Sequence, residues 1–165
     1  MKTLFLGDIV GRPGRDAIKA RLPQLREELA LDFVVANGEN AAHGFGITKK
    51  ICEELFAAGV DVISGGNHSW DQAEILGHID EEPRLLRPAN FRAGTPGRGV
   101  GVFDTDKGHR VLVINVMGRL FMEPLDDPFQ AIEKALPPGA PVESGFDFVL
   151  VDFHGEATSE KYAAG

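Results

Sequence analysis

Polar side chains of the types that bind metals follow three apolar segments of the sequence. Asp8 comes after the first segment, Glu39 and Asn40 after the second, and Asn67 after the third, while a fourth apolar segment ends on His154. Carboxylate, amide and imidazole groups without thiolates suit iron, manganese or zinc better than calcium or magnesium alone. A carboxylate such as Glu39 can bridge two metal ions, which together activate water and clamp a phosphoryl group. These residues therefore predict a dinuclear metal site.

Each acidic residue taken alone has a simpler interpretation. Asp8 or Glu39 by itself would more often cap a helix or accept a hydrogen bond within a loop. The coincidence of four polar clusters at the ends of apolar segments favours a functional site instead.

His68 follows Asn67 directly and would remain free if Asn67 bound a metal. Ser69 and Gln72 have capping-box spacing, so a helix is predicted to begin just after His68. A helix N-terminus favours an anionic phosphate, and His68 beside it could protonate a leaving oxygen. Asp71 could orient the imidazole, but the sequence favours its interpretation as an acidic residue in the first turn of that helix.

The glycine-rich segment GDIVGRPGR lies just before the first predicted helix. It lacks both the GK[ST] ending of a P-loop and the spacing of the dinucleotide-binding fingerprint, so a tight strand-to-helix turn is the better interpretation. Arg12 and Arg15 in this segment are weak candidates for substrate binding.

Alternating strands and helices would bring the candidate residues to one edge of a sheet. Apolar runs at 3–6, 33–36 and 61–64 predict buried parallel strands. Apolar residues at helical spacing predict a helix between the first two, bent or interrupted at Pro23, and Thr48 is a plausible N-cap for the next helix. Ligands in such α/β sheets bind outside the carboxyl ends of the strands, where the polar clusters lie.

The second half of the sequence has a different pattern. Runs at 100–103 and 111–116 flank a turn and predict a hairpin. A short helix is expected at 129–136, a loop at 137–141, and a last buried strand, FDFVLVDFH, ending on His154. The predicted fold class is α/β.

Composition restricts the class of protein. The 165 residues suit one domain, and no apolar run approaches the length of a membrane span. A formal net charge of −8 argues against general nucleic-acid binding but permits a small phosphorylated substrate beside metal ions. One cysteine, Cys52, fits a reducing, cytoplasmic location and is predicted to be a packed helix residue.

The ordered motifs GDIVG, NGENAAHGFGIT, SGGNHSWD, RPANF, VINVMGR and DFHGEATSEK resemble the YmdB-like family of bacterial metallophosphoesterases, essentially end to end. That family belongs to the calcineurin-like phosphoesterase superfamily. The resemblance implies a sandwich of two mixed sheets flanked by helices and a dinuclear centre of iron or manganese, with zinc or magnesium as alternatives. It also implies hydrolysis of cyclic nucleotide phosphodiesters, 2′,3′ or 3′,5′, by attack of a metal-bound hydroxide.

The resemblance assigns roles to the same residues by position. Asp8, Glu39 and Asn40 match ligands of one metal, with Glu39 bridging. Asn67 and His154 match ligands of the second metal. His68 matches the proton donor.

The resemblance also implies a further C-terminal portion, with a GTHTH-type block whose two histidines complete both metal shells. We therefore expect residues 1–165 to be one metallophosphoesterase domain lacking that portion. Two functions stay open: a dinuclear metal-dependent phosphodiesterase, or a non-catalytic metal- or phosphate-binding fragment. A sheet without its full set of strands would expose apolar surface, which allows either a homo-oligomer such as a dimer or aggregation.

Overall fold

The computed structural model describes residues 1–136 and 145–165 and contains two three-stranded sheets. The first half comprises β1 (Thr3–Leu6), α1 (Gly11–Glu28), β2 (Phe33–Asn37), α2 (Lys49–Ala57) and β3 (Val62–Ser64), followed by a 3-10 helix at Ala73–Gly77. The second half comprises β4 (Val100–Asp104), β5 (Arg110–Met117), α3 (Pro128–Ala135), β6 (Phe148–His154) and α4 (Thr158–Ala164). The predicted loop at 137–141 lies outside the described residues.

The first sheet has the order β1-β2-β3, and both pairings are parallel. This corrects the expectation of two mixed sheets, because helical crossovers join these strands and return the chain in the same direction. The register places Leu6 opposite Ala36, and Asn37 opposite Ser64. All three strands therefore end at the same edge of the sheet.

The second sheet has the order β4-β5-β6 and is mixed. β4 and β5 form the predicted antiparallel hairpin, which is confirmed, and β6 pairs parallel to β5. The last pair in that register joins Met117 to His154, so β6 ends beside the end of β5.

Apolar side chains arrange these elements in four layers. One cluster joins helices α1 and α2 to the outer face of the first sheet through Leu22, Val34, Ala36, Cys52, Leu55 and Ile63. A second cluster fills the space between the two sheets, with Phe33, Val35, Val62, Val111 and Val113. A third packs α3 against the far face of the second sheet, with Leu112, Ile114, Val116, Ala131 and Ile132. The order helices, sheet, sheet, helix is a sandwich flanked by helices.

Strand β6 departs from the prediction of a buried strand. Its residues Phe148, Val149 and Val151 are exposed, at 36%, 41% and 38% of their surface. β6 pairs with β5 alone, so none of the described elements hydrogen bonds to its other edge. The apolar sequence therefore predicts the strand correctly but does not predict whether other residues bury it.

Three local predictions can be compared directly with the structure. Thr48 caps α2 by accepting a hydrogen bond from the Ile51 amide, as predicted. Cys52 is fully buried in α2, and this burial raises the pKa of its thiol to about 12. Pro23 does not interrupt α1, which continues to Glu28.

Among the described residues there is no helix both long and apolar enough to cross a bilayer.

Candidate active site

The ends of β1, β2 and β3 bring the first predicted metal-binding residues together. Asn40 follows β2, and its Nδ2 lies 3.1 Å and 2.9 Å from the two carboxylate oxygens of Asp8, which follows β1. The same nitrogen is 3.4 Å from Glu39 Oε1. These contacts arise because parallel strands end at one edge, so residues distant in sequence share one surface.

The second sheet supplies the other side of the same cluster. His154, the last residue of β6, has its Nε2 2.9 Å from Glu39 Oε1 and 3.1 Å from Asn67 Oδ1. The same Glu39 oxygen, Oε1, therefore contacts both Asn40 and His154. All five predicted metal-binding residues belong to one connected group.

Glycine makes this close approach feasible. A Cβ atom on Gly66 would lie 2.1 Å from Glu39 Oε2 and 2.6 Å from His154 Cδ2, which is closer than atoms can pack. Residue 66 must therefore lack a side chain if Glu39 and His154 are to meet.

The electrostatics of the cluster favour positive charge. Glu39 is buried at 2% exposure, and its carboxylate accepts a hydrogen bond from the His68 amide at 3.1 Å. Burial by itself would lower the pKa of His154, but the hydrogen bond and charge of Glu39, with the charges of Asp152 and Asp8, raise it overall. Carboxylates gathered in a partly buried space attract a cation.

The types of donor in the cluster are those of the predicted metals. It offers two carboxylates, two amides and one imidazole, a mixture that iron, manganese and zinc accept. Within the ranges that the structure describes, no group of three or more His, Cys, Asp or Glu side chains is placed to hold a metal ion. The amides of Asn40 and Asn67 would therefore have to contribute to binding.

His68 lies beside this cluster in a local arrangement that differs from the prediction. Its Nδ1 is 2.6 Å from Asp71 Oδ2, so Asp71 is its partner, and the interpretation of Asp71 as a residue of a helix start was wrong. The ring of Phe45 packs edge-on against the imidazole, with centroids 5.3 Å apart. The carboxylate and the aromatic ring together fix the orientation of His68.

The predicted helix directly after His68 is absent from this described segment, where residues 67–70 form a turn. Ser69 does not cap a helix, because its hydroxyl accepts from the Gly66 amide at 3.0 Å and donates to the Gly66 carbonyl at 2.7 Å. Gln72 donates instead to the Phe45 carbonyl at 2.7 Å. Short polar side chains that bond back to the backbone compete with helix formation.

The two weak substrate-binding candidates have other partners. Arg12 forms a surface ion pair with Asp16 at 3.2 Å, and Arg15 donates to the Ala41 carbonyl. Among the described residues, neither arginine hydrogen bonds to the five predicted metal-binding side chains.

A buried polar network behind the cluster was not found from the sequence. Asn115 of β5 accepts a hydrogen bond from the Gly65 amide at 3.0 Å, and the Ser64 hydroxyl donates to Asp152 of β6. Asn37 donates to the Gly65 carbonyl at 3.2 Å and accepts from the Glu39 amide at 3.2 Å. Burial raises the pKa of Asp152, although its hydrogen bond with Ser64 opposes this. In the sequence, the one sign of this network was Asn115, a polar residue within the apolar segment VINVM.

Comparisons with known proteins identify the family of this sequence. A family model described as YmdB-like protein matches residues 4–165. Over the whole chain the sequence is 47% identical to a protein of Bacillus subtilis (strain 168) named 2′,3′-cyclic-nucleotide 2′-phosphodiesterase, of which it covers 61%. It is 36% identical to a putative phosphatase/phosphodiesterase of Mycoplasma pneumoniae, with 99% of this chain and 58% of that protein covered.

Two solved structures share the fold. A hypothetical protein from Thermus thermophilus matches with a TM-score of 0.89 and 44% identity, over 99% of this chain and 62% of that one. A structure described as a novel phosphatase from Mycoplasma pneumoniae matches with a TM-score of 0.87 and 34% identity, over 99% and 58%. This chain thus spans about three fifths of the length of these relatives. The family match covers almost all of the sequence, and the chain belongs to the YmdB-like family.

Proposed function

We propose that this chain forms the site of a dinuclear metal-dependent phosphodiesterase that hydrolyses cyclic nucleotide phosphodiesters, 2′,3′ or 3′,5′. The observation that carries the proposal is the position of Glu39, whose carboxylate contacts residues of both sheets and the His68 amide. The printed name of the Bacillus subtilis relative supports the choice of a cyclic nucleotide.

Five side chains would hold the metal ions, with Asp8 and Asn40 on one side, Asn67 and His154 on the other, and Glu39 between them. Iron or manganese bound there would supply positive charge that activates water and stabilises the developing charge on a phosphoryl group. The buried position of Glu39 strengthens its interaction with any cation, because less water screens the charges.

His68 is the proposed general acid. The contact between Nδ1 and Asp71 holds the proton of Nδ1 and leaves Nε2 as the atom that can donate to the leaving oxygen. Asp71 also stabilises the charged imidazole, as a carboxylate does in a catalytic triad. A diester requires such a donor, because its leaving alkoxide is a strong base.

Hydrolysis of 2′,3′- and 3′,5′-cyclic nucleotides by the full-length gene product, with manganese or iron added, tests the proposal. His68→Ala should lower kcat roughly 10²- to 10⁴-fold, the usual contribution of a positioned acid. His109→Ala is the control, because His109 lies just before β5, at the end of that strand away from the site. Turnover that survives both His68→Ala and chelation would contradict the mechanism.

The alternative is a non-catalytic metal- or phosphate-binding fragment. It is favoured by the composition of the donor set, in which a single imidazole, that of His154, stands with two carboxylates and two amides. Metal analysis and turnover of the 165-residue chain discriminate between the two. Two tightly bound metal ions together with turnover of a cyclic nucleotide would exclude the alternative.

A further inference from the structure

A pocket of about 540 Å³ opens beside the proposed general acid. His68 and Asn67 line it together with residues of the loop that follows β5, among them Phe121 and Glu123. Its volume lies in the range of pockets that hold small organic ligands. The pocket therefore extends the site beyond the residues that would contact a phosphate.

Phe121 in this pocket is unusual in two respects. Its side chain is 91% exposed, so it contributes almost nothing to the apolar core. Its φ of +64° lies in the left-handed region, which a bulky side chain rarely adopts and which costs conformational energy. Within residues 1–136 and 145–165, neither core packing nor local backbone preference explains an aromatic ring at this position.

The loop that carries Phe121 is held in place by hydrogen bonds. The Gly118 amide donates to the His154 carbonyl at 2.7 Å, and the amides of Arg119 and Leu120 donate to Glu160 at 2.9 Å and 3.2 Å. The loop is thus fixed both to the strand end that carries His154 and to α4, which carries Glu160. A ring presented on a fixed loop loses less conformational entropy when a ligand binds.

The charge of the pocket indicates which part of a substrate it accepts. Asp71, Glu123 and Glu156 line it, and none of its described lining residues is Lys or Arg. Carboxylates repel a phosphate, so the phosphate would lie towards the metal-binding residues and the uncharged part of the substrate towards Phe121. Carboxylates also accept hydrogen bonds from the amino groups of nucleobases.

We propose that this pocket is the nucleobase subsite and that Phe121 is the ring on which the base stacks. The proposal rests on the proposed function, since it assumes a nucleotide substrate. Every base has an aromatic face, so stacking provides affinity for nucleotides as a class. The exposure and backbone conformation of Phe121 are those of a ring kept available for a ligand.

The test compares two substrates that share a five-membered cyclic phosphodiester. Guanosine 2′,3′-cyclic phosphate carries a base, whereas glycerol 1,2-cyclic phosphate has none. In the full-length product, Phe121→Ala should raise KM for the nucleotide roughly tenfold, with little change in kcat. It should leave kcat/KM for the glycerol compound unchanged, and Phe121→Tyr should retain the wild-type KM. Tyr162→Ala is the matched control, since Tyr162 is 88% exposed and lies in α4 outside the pocket.

If Phe121→Ala lowered kcat/KM equally for both substrates, or changed it for neither, the proposed subsite would be contradicted. Binding of guanosine 3′-monophosphate, measured by calorimetry, separates this proposal from the proposed function. Wild-type binding that Phe121→Ala weakens, without turnover of either diester, would contradict the function and support the subsite. No binding and no turnover would overturn both.

Discussion

Strands β2 and β6 both end at the proposed site, yet they are buried to very different degrees. All five residues of β2 are buried, with helices on one face of its sheet and the second sheet on the other. In β6 only Asp152 is buried, and Val149 and Val151 are exposed. The two strands nonetheless place Glu39 and His154 2.9 Å apart.

This difference shows that two kinds of interaction position the site. Glu39 follows a strand buried in the apolar core, and its own amide donates to Asn37. His154 is held by pairing of β6 with β5 and by the polar network in which Asp152, Asn115 and Ser64 join the two sheets. Apolar burial is non-directional, whereas a buried hydrogen-bond network requires defined distances and is costly when one partner is missing.

The largest expected effect on activity comes from Glu39, which follows β2 and contacts the last residue of β6. Glu39→Gln keeps the size of the side chain but removes the charge that faces His154 and that would bind the proposed metal ions. We expect kcat/KM for a cyclic nucleotide to fall about 10²- to 10⁴-fold, because metal-assisted charge stabilisation amounts to several kcal/mol. Glu27→Gln on the exposed face of α1 is the control. Wild-type activity in Glu39→Gln would show that β2 and β6 do not meet in a working site.

An intermediate effect is expected where the two sheets are joined. Asn115→Ala leaves the Gly65 amide without its acceptor and creates a small cavity in a fully buried position. The free energy of unfolding should fall by about 2–3 kcal/mol, as measured by urea denaturation. A loss below about 0.5 kcal/mol would show that the network contributes little and that β6 is held by strand pairing alone.

The smallest expected effects are on stability, and they compare the burial of β2 with that of β6. Val35→Ala in β2 removes two fully buried methyl groups and should lower the free energy of unfolding by about 2 kcal/mol. The identical substitution Val151→Ala in β6 should lower it by about 0.5 kcal/mol, because this side chain is already 38% exposed. Equal losses in the two variants would indicate that the face of β6 is covered in solution.

Much of the fold follows from local patterns in the sequence. The apolar run of β2, the Thr48 cap and the hairpin of β4 and β5 were predicted because each depends on residues close together in sequence. The prediction of a helix after His68 was wrong because the Ser69 hydroxyl bonds to the backbone of Gly66 and does not cap a helix. Residue spacing alone does not distinguish these two partners. The burial of β6 was wrong because the apolar character of a strand does not specify what covers it.

For the candidate site, too, some features follow from the sequence and others only from the tertiary structure. The sequence by itself determined which residue types stand at the strand ends and suggested a bridging role for Glu39 and a proton-donor role for His68, which the resemblance then matched by position. Only the tertiary structure decided that Asp71 pairs with His68, that Asn115 and Asp152 join the sheets, and that Phe121 stands exposed beside the pocket. The pairings of Asn115 and Asp152 are distant in sequence, and even the short-range pair of His68 and Asp71 needs a turn whose form spacing left open. Such contacts depend on how layers pack rather than on any pattern along the chain.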